Sequence, residues 1–436
     1  MTARLDALDI ISPKRNVRNN KGWEGFFPYY AGFPETFAER LIRSADLTAD
    51  SRILDPWNGS GTTTFAASRL GVPSEGIDLN PVMAVVARAR SLATSEADAI
   101  MPLAKEVVSS ARRLRSACAP TDPLLKWFGP QTASWFRSIE SAARVLLIGD
   151  LTISSAGTNF DNLSAIASTF YVGLFTHCRE VAKSFATTNP TWMRTARCGE
   201  RRASRPAADL DARYLFLLAE MAAALSEAPE PIVARAPIGL RVADTTSDLK
   251  GAAEFDMVLT SPPYCTRLDY TAATKVQLAV LWPLMTTTTG ELSRQMTGSI
   301  RVPSIVQDVE SGWGPTCCDF LEAVASHPSK ASSGYYLKTH IDYFAKIYAS
   351  LSGISRKLKQ DGVAVLVVQD SHYKEIHNDL PRILGEMGES HGLSLGRRAD
   401  FRLNRTLAGR HPHTKSYRER IDATESVLCF EKKPNL

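Results

Sequence analysis

Apolar positions along this 436-residue chain follow two patterns. Short unbroken runs, such as Phe255-Asp256-Met257-Val258-Leu259 and Val363 to Val368, have the length of single buried strands. Elsewhere apolar residues recur three and four positions apart, as in Leu163 to Phe170, which marks one face of a helix. Strands are predicted at Ile53-Leu54-Asp55, Gly76-Ile77-Asp78, Ile238 to Ala243, 255–259, 363–368, Ser394–Asn404 and Glu425–Glu431. The last two are expected to form a terminal hairpin. Helices are predicted at Glu35 to Ala45, from Phe65, from Pro81, at Thr132 to Leu147, at Tyr214 to Leu225 and from Asp269 to Leu284. Two more are expected at Tyr343 to Leu358 and His377 to Glu389. Alternating strands and helices predict an α/β, doubly wound sheet of about seven strands. Residues 1–24 read as a basic arm, 25–92 with 236–436 as the sheet domain, and 93–235 as an almost wholly helical insertion. The stretch 285–334 is expected to be irregular.

Candidate chemistry sits where two of the strands end. Asp55-Pro56-Trp57-Asn58-Gly59-Ser60-Gly61-Thr62-Thr63-Thr64 reads as strand, glycine-bearing turn and helix start. Gly59 and Gly61 let backbone approach a ligand closely, and the helix start offers free N–H groups and a positive dipole end. Fifteen residues after Gly61, Gly76 begins a second strand that ends in Asp78, and an acid there commonly meets ribose hydroxyls in such sheets. After the strand 255–259 comes Thr260-Ser261-Pro262-Pro263-Tyr264. Two prolines can continue neither a ladder nor a helix interior, so the loop holds one extended shape. It offers a hydroxyl, backbone carbonyls and a flat ring, which suits a nucleobase amine. A proline-stiffened surface turn is the plain alternative for Pro-Pro alone.

Together, Asp-Pro-Trp-Asn-Gly-Ser-Gly-Thr-Thr, Gly-Ile-Asp-Leu-Asn-Pro and Ser-Pro-Pro-Tyr resemble the amino-methyltransferases that modify exocyclic nitrogens of DNA bases. The resemblance extends to Phe33-Pro34, to Val242-Ala243-Asp244 and to Leu358 through Val368. It implies a Rossmann-like S-adenosylmethionine-dependent methyltransferase sheet. Implied cofactor contacts are Phe33, Pro34, Asp55, Pro56, Trp57, Gly59, Ser60, Gly61, Thr62, Thr63, Asp78, Leu79, Asn80, Asp244 and Ser261. Implied catalytic groups are Ser261, Pro262, Pro263 and Tyr264: Ser261 and the Pro262 carbonyl would accept hydrogen bonds from the amine, and Tyr264 would stack on a flipped base. The Ser-Pro-Pro-Tyr form resembles the cytosine-N4 branch, whereas adenine-N6 relatives more often carry Asp or Asn in first place. Asp269 and Tyr270 follow as candidate substrate contacts, with a helix N-cap as the alternative for Asp269. Asp361-Gly362 stands where the family usually has Pro-Gly. Cys265 lacks the Pro-Cys context of carbon-5 enzymes and reads as packing.

Net charge is +5, and its distribution matters more than its size. Basic residues cluster at Lys14 to Lys21, Arg179 to Arg205 and Arg397 to Arg420, the last including Arg402 and Arg405. A charge run is usually a solvated face; three of them beside a nucleobase-type loop point to phosphate contacts with double-stranded DNA. The stretches 285–334 and 397–420 are expected to line that DNA, and the helical insertion to serve as a clamp or a dimer surface. The seven cysteines, odd in number and without paired spacing, argue for reduced thiols in a cytoplasm. No apolar run reaches membrane-spanning length, and the histidines, including His411 and His413, show no metal-ligand spacing. The resemblance further implies a restriction–modification or phage-defence setting, with a cognate restriction endonuclease as a possible partner. Open alternatives are an adenine-N6, RNA or protein amino-methyltransferase, or a catalytically silent nucleic-acid binder. The oligomeric state stays open.

Overall fold

The computed structural model describes residues 3–15, 23–27, 32–114, 116–149, 153–154, 157–158, 160–187, 192–229, 233–266, 270–301, 306–403 and 423–433. Its main sheet comprises β1 (Ile53–Asp55), β2 (Ser74–Asp78), β3 (Ile238–Val242), β4 (Phe255–Thr260), β5 (Leu358–Gln369), β6 (Leu393–Leu403) and β7 (Ala423–Lys432). The principal helices are α1 (Glu35–Ser44), α2 (Thr62–Arg69), α3 (Pro81–Arg90), α4 (Ala97–Leu114), α5 (Pro130–Leu147) and α6 (Ala165–Val181). Further along come α7 (Ala207–Ser226), α8 (Lys275–Leu281), α9 (Thr289–Gln295), α10 (Pro315–Ser326), α11 (Leu337–Lys357) and α12 (Leu380–Ser390).

The seven strands lie in the order β6-β7-β5-β4-β1-β2-β3. From β3 to β5 every neighbouring pair is parallel. β7 runs antiparallel between β5 and β6, closing the hairpin expected at the C-terminus. The winding direction reverses between β1 and β4, and such a switch point opens a crevice at the carboxyl ends of the strands. This is the Rossmann-like, doubly wound α/β architecture that the sequence pattern predicts.

Side chains alternate between the faces of the sheet, except at the irregularity between Phe255 and Met257 of β4. Ile53, Met257, Leu259, Val363, Val365, Val367 and Val427 turn to one face, with Phe37 and Leu41 of α1 and Ala66 of α2. Leu54, Val258, Ala364, Leu366, Val368 and Leu428 turn to the other, with residues of α10, α11 and α12. A strand covered on both faces reads as a continuous apolar run, which is why 363–368 shows no alternation in sequence. Burying each such side chain contributes about 1.5–3 kcal/mol, so β5 is a principal anchor of the sheet.

Helices α4 to α7 enter the chain between β2 and β3. They share one apolar cluster with α3 and α8: Trp135, Phe136, Tyr171, Phe175 and Tyr214 pack with Val82, Val85, Val276 and Val280. Buried Arg137 of α5 fastens the two parts together. It pairs with Asp122 at 2.9 Å and donates to the carbonyls of Ala279 and Val280, each at 3.0 Å. Those carbonyls end α8, where a helix leaves its acceptors unsatisfied, and a cation there also meets the negative end of the helix dipole.

Part of 285–334 differs from the irregular stretch expected. Thr288 and Glu291 form a reciprocal capping box that starts α9, and Pro315 opens α10 after Gly314. Threonine, glycine and proline look like loop formers in composition, yet at these positions they are helix starters. Helix α11 begins at Leu337 rather than Tyr343, and β5 at Leu358 rather than Val363. Helix α12 starts at Leu380, because His377 belongs to a short ribbon (Ile376–Asn378 against Ser371–Tyr373) and Asp379 caps the helix.

Candidate active site

β1 ends at Asp55, and its neighbour β2 at Asp78, so two carboxylates reach the switch point side by side. Asp55 is 3% exposed and accepts from the Trp57 amide at 3.1 Å and the Thr260 hydroxyl at 2.6 Å. Asp78 accepts from the amides of Gly59 at 2.9 Å and Asn80 at 2.8 Å. Burial pushes both pKa values up to about 6, against the pull of these hydrogen bonds, and the Asp55 charge adds to the shift at Asp78. Among the described residues no basic side chain forms an ion pair with either acid. A buried and a half-buried carboxylate without a cation suit a positively charged or hydroxyl-rich group.

The glycine turn closes over this pair. Asn58 binds the Ile77 carbonyl through its amide and accepts the Gly61 amide on its own carbonyl, pinning the turn to β2. Gly61 has φ +80°, and a Cβ there would lie 2.7 Å from the Ala87 Cβ. Gly76 is equally constrained, since its Cβ would lie 2.5 Å from the Asn58 side chain. Gly61 also stands at the N-cap of α2 and supplies no side-chain cap, so first-turn amides are left for another acceptor. Ser60, Thr62 and Thr63 are buried around the turn, and Trp57 is partly exposed beside it. Behind it Thr62 accepts from Arg15 and from buried Arg90, and Arg90 in turn pairs with Glu35 at 2.8 Å.

The Ser261–Tyr264 loop leaves β4 next to Asp55. Ser261 donates its hydroxyl to the Val367 carbonyl at 3.0 Å, which keeps Oγ as an acceptor toward anything else. The Pro263 carbonyl receives the hydroxyl of buried Tyr343 at 2.8 Å. The Tyr264 amide donates to the Tyr270 hydroxyl at 3.2 Å, and the Tyr264 hydroxyl donates to Glu425 at 2.9 Å. Thus β5, α11, the short helix Tyr270–Ala273 and β7 each hold one atom of the loop. Asn80 caps α3 through Val82 and reaches Thr274 at 2.9 Å, tying the Asp78 strand end to the chain after the loop.

The structure gathers Asp55, Trp57, Gly59, Ser60, Gly61, Thr62, Thr63, Asp78, Asn80, Ser261, Pro262, Pro263, Tyr264 and Tyr270 around the switch point. Pro56 is buried in the same turn, and Leu79 packs toward the helical cluster. Phe33 turns its ring inward, 5.0 Å from Phe37 in the apolar cluster under the sheet, and offers its carbonyl to Arg15. Pro34 is the N-cap of α1. Asp244 follows β3 and caps a short helix through the Thr246 amide at 2.9 Å. Arg402 is exposed on β6, while Asp269 and Arg405 lie outside the described residues. Cys265 is buried, 3.4 Å from His340, in keeping with packing.

Sequence reasoning missed Tyr343, Glu425 and Asn58. The first two stand 80 and 161 positions from their loop partners and carry no local signal. Asn58 was visible inside the glycine motif, beside Gly76 whose missing side chain makes room for it. The basic clusters are partly spent internally. Arg397 holds the carbonyls of Leu5, Asp6 and Leu8, Arg398 binds Asp400, and Arg194 binds Glu200. Arg201, Arg202 and Arg205 stay exposed.

A seven-stranded sheet in this order, with a glycine turn and an acid-ended second strand at its switch point, defines the Rossmann-like, doubly wound α/β class. A family model described as DNA methylase, of the N6/N4 methyltransferase type, matches residues 7–88. Over this segment, about a fifth of the chain, the protein is similar to the DNA amino-methyltransferases. The Type II methyltransferase M.BsoBI of Geobacillus stearothermophilus is 36% identical over 73 residues, a match spanning 17% of this chain and 14% of that protein. The rRNA methyltransferase AviRa of Streptomyces viridochromogenes overlaps 92% of this chain and 87% of its own, at 13% identity and a TM-score of 0.26. A structure from work on conversion of a disulfide bond into a thioacetal group during echinomycin biosynthesis overlaps 92% and 81%, at 10% identity and a TM-score of 0.30.

Proposed function

We propose that this chain is a DNA methyltransferase that transfers a methyl group from S-adenosylmethionine to the exocyclic N4 amine of a flipped-out cytosine. The observation that carries the reading is the adjacency of two half-sites. An unpaired acidic pair under a glycine turn lies beside a loop whose Ser261 hydroxyl is oriented as an acceptor.

The first half-site fits the cofactor by its chemistry. Asp55 and Asp78 match an ammonium and ribose hydroxyls, and the uncapped first turn of α2 matches a carboxylate. Asp55, Gly59, Ser60, Gly61, Thr62, Thr63 and Asp78 would hold it, with Trp57 as an apolar plate and Asp244 toward the adenine. When bound, the cofactor supplies a methyl group already activated by its sulfonium.

The second half-site handles the acceptor. A base amine is a weak nucleophile because its lone pair is conjugated into the ring. Ser261 Oγ accepts one N–H. The Pro263 carbonyl is occupied by Tyr343, so the Pro262 carbonyl is the loop's acceptor for the other. Two acceptors placed in advance draw the nitrogen toward tetrahedral geometry and free its lone pair. The base must first leave the duplex, and the Tyr264 ring gives it a stacking surface worth about 1–3 kcal/mol. Neutral Ser261, in place of an acid, is what favours cytosine over adenine.

Exposed Arg201, Arg202, Arg205 and Arg402 are assigned to the DNA backbone, and the helical insertion, taken as 93–235, to clamping the duplex. A restriction–modification or phage-defence role with a cognate endonuclease follows if methylation is site-specific. The test is incubation with labelled S-adenosylmethionine and mixed-sequence DNA, followed by nucleoside mass spectrometry. N4-methylcytosine is expected. N6-methyladenine, labelled RNA or labelled protein would replace the acceptor, and cofactor binding without transfer would remove the enzyme.

A further inference from the structure

The acceptor loop ends on an acid with no part in the chemistry so far. Glu425 lies on β7 opposite Gln369, at the same edge of the sheet as Asp55 and Ser261. It is 7% exposed, and its hydrogen-bond partner is the Tyr264 hydroxyl at 2.9 Å. No ion pair neutralises it among the described residues. The Ser261 hydroxyl, bonded to the Val367 carbonyl, is close enough to the Tyr264 phenol to bear on its ionisation. Ser261, Tyr264 and Glu425 therefore form a line leading from the acceptor position to a buried carboxylate.

We propose that Glu425 takes up the proton that leaves the amine, relayed from Ser261 through the hydroxyl of Tyr264. The inference rests on the methyl-transfer reading above. An amine that gains a methyl carbon must lose one N–H proton to end neutral. That proton passes to Ser261 Oγ as Ser261 turns its own from the Val367 carbonyl to the Tyr264 oxygen. The phenol proton moves to the Glu425 carboxylate. One N–H bond is broken and one O–H bond is formed on Glu425, with Ser261 and Tyr264 neutral before and after. Glu425 then returns the proton to water. Because it acts through Tyr264, Glu425 is a positioning residue and does not touch the base.

Burial holds the Glu425 carboxyl above the usual glutamate range, against the Tyr264 hydrogen bond and the charge of Lys14. That places its ionisation closer to the working pH of a proton acceptor. The other charged groups about it are Asp370, which accepts from the Thr424 amide at 2.8 Å, His377 beyond Asp370, and Arg402 across the strand pair from Thr424.

Glu425→Gln keeps an acceptor for the Tyr264 hydroxyl but cannot hold the proton, and Tyr264→Phe keeps the ring but cuts the line. General-base contributions run to about 10²–10⁴-fold. Each variant should lower the single-turnover transfer rate at least about tenfold, with DNA and cofactor affinities held within about twofold. In the parent the rate should rise with pH through the Glu425 ionisation, and in Glu425→Gln that limb should vanish. A readout independent of turnover is ¹³C NMR of glutamate-labelled protein. The resonance missing in Glu425→Gln should titrate above the other glutamates, and its midpoint should move in Tyr264→Phe. A Glu425→Gln enzyme with the parent's rate and pH profile overturns the relay. So does a Glu425 resonance that titrates with the ordinary glutamates and ignores Tyr264→Phe. Failure of the parent to label any DNA overturns the function itself, and is told apart because the relay fails only against an active parent.

Discussion

The glycine turn and the Ser261–Tyr264 loop meet at one crevice but are held in opposite ways. The turn is held by its near neighbours in sequence: Asn58, Gly59 and Gly61 are fixed by Ile77, Asp78 and each other, within a single β-turn-α-β unit. The loop is held by distant parts of the chain, through Val367, Tyr343 and Glu425. A site half built from local constraints is recognisable as a motif. A site half built from remote ones shows its business end, Ser261 to Tyr264, and hides its supports. The difference also separates two kinds of damage: the turn fails by sterics, the loop by loss of orientation.

The sharpest break is predicted at the turn. Gly61→Val demands a side chain at φ +80° and 2.7 Å from Ala87, so cofactor binding measured by calorimetry should be lost, with a clear fall in melting temperature. The left-handed backbone alone costs about 1–2 kcal/mol. A variant binding cofactor like the parent would mean that the turn does not cradle it.

Next in size is the loop's own chemistry. Ser261→Ala should lower the single-turnover rate by about 10²–10³-fold, the usual cost of removing one preorganised hydrogen-bonding group, while calorimetric cofactor affinity stays near that of the parent. Equal losses in both would show that the two halves are not separable. Tyr343→Phe frees the Pro263 carbonyl without touching the base, and a loss of about 1 kcal/mol in unfolding free energy should accompany a smaller rate defect than Ser261→Ala.

The acid pair gives a pH test of the turn. Asp55 and Asp78 have folded pKa values of about 6 against 3.8 for the free side chain. Between those values the unfolded chain is ionised while the folded one still holds the protons. The pair's contribution is therefore fully present below about pH 4 and lost as pH rises through about 6. The loss is about 2–3 kcal/mol for each acid, less for the second because the two are coupled. Asp78→Asn should flatten that part of the denaturation profile. A cationic ligand prefers the ionised pair, so its affinity should rise with pH across the same window. The smallest expected effect lies on the surface. Arg402→Ala should weaken DNA binding uniformly across sequences and reduce the salt slope by about one. Arg397→Ala, whose guanidinium is committed to Leu5, Asp6 and Leu8, should leave DNA affinity unchanged.

Much of this was legible in the residues themselves. Asp55, Gly59, Gly61 and Asp78 announce their turn because glycine conformation and acid placement are properties of a few consecutive positions. Strand periodicity yielded the seven strands, although not which face each apolar residue covers, since both faces of β5 are buried. The helices inside 285–334 were hidden because Thr288 and Pro315 start helices with residues that elsewhere build loops. Arg397 and Arg194 looked like phosphate ligands until their carbonyl and carboxylate partners were placed beside them.

By itself the sequence determined the doubly wound sheet, the glycine turn with its two acids and the presence of a stiff polar-aromatic loop. These rest on short-range stereochemistry and hydrophobic patterning. Only the tertiary structure decided that the loop abuts Asp55, that Tyr343 occupies the Pro263 carbonyl, that Arg137 joins the inserted helices to α8, and that Glu425 waits behind Tyr264. Those are meetings between residues tens to hundreds of positions apart. They depend on strand order and on which buried polar atoms need one another, and neither is written in any local stretch of the chain.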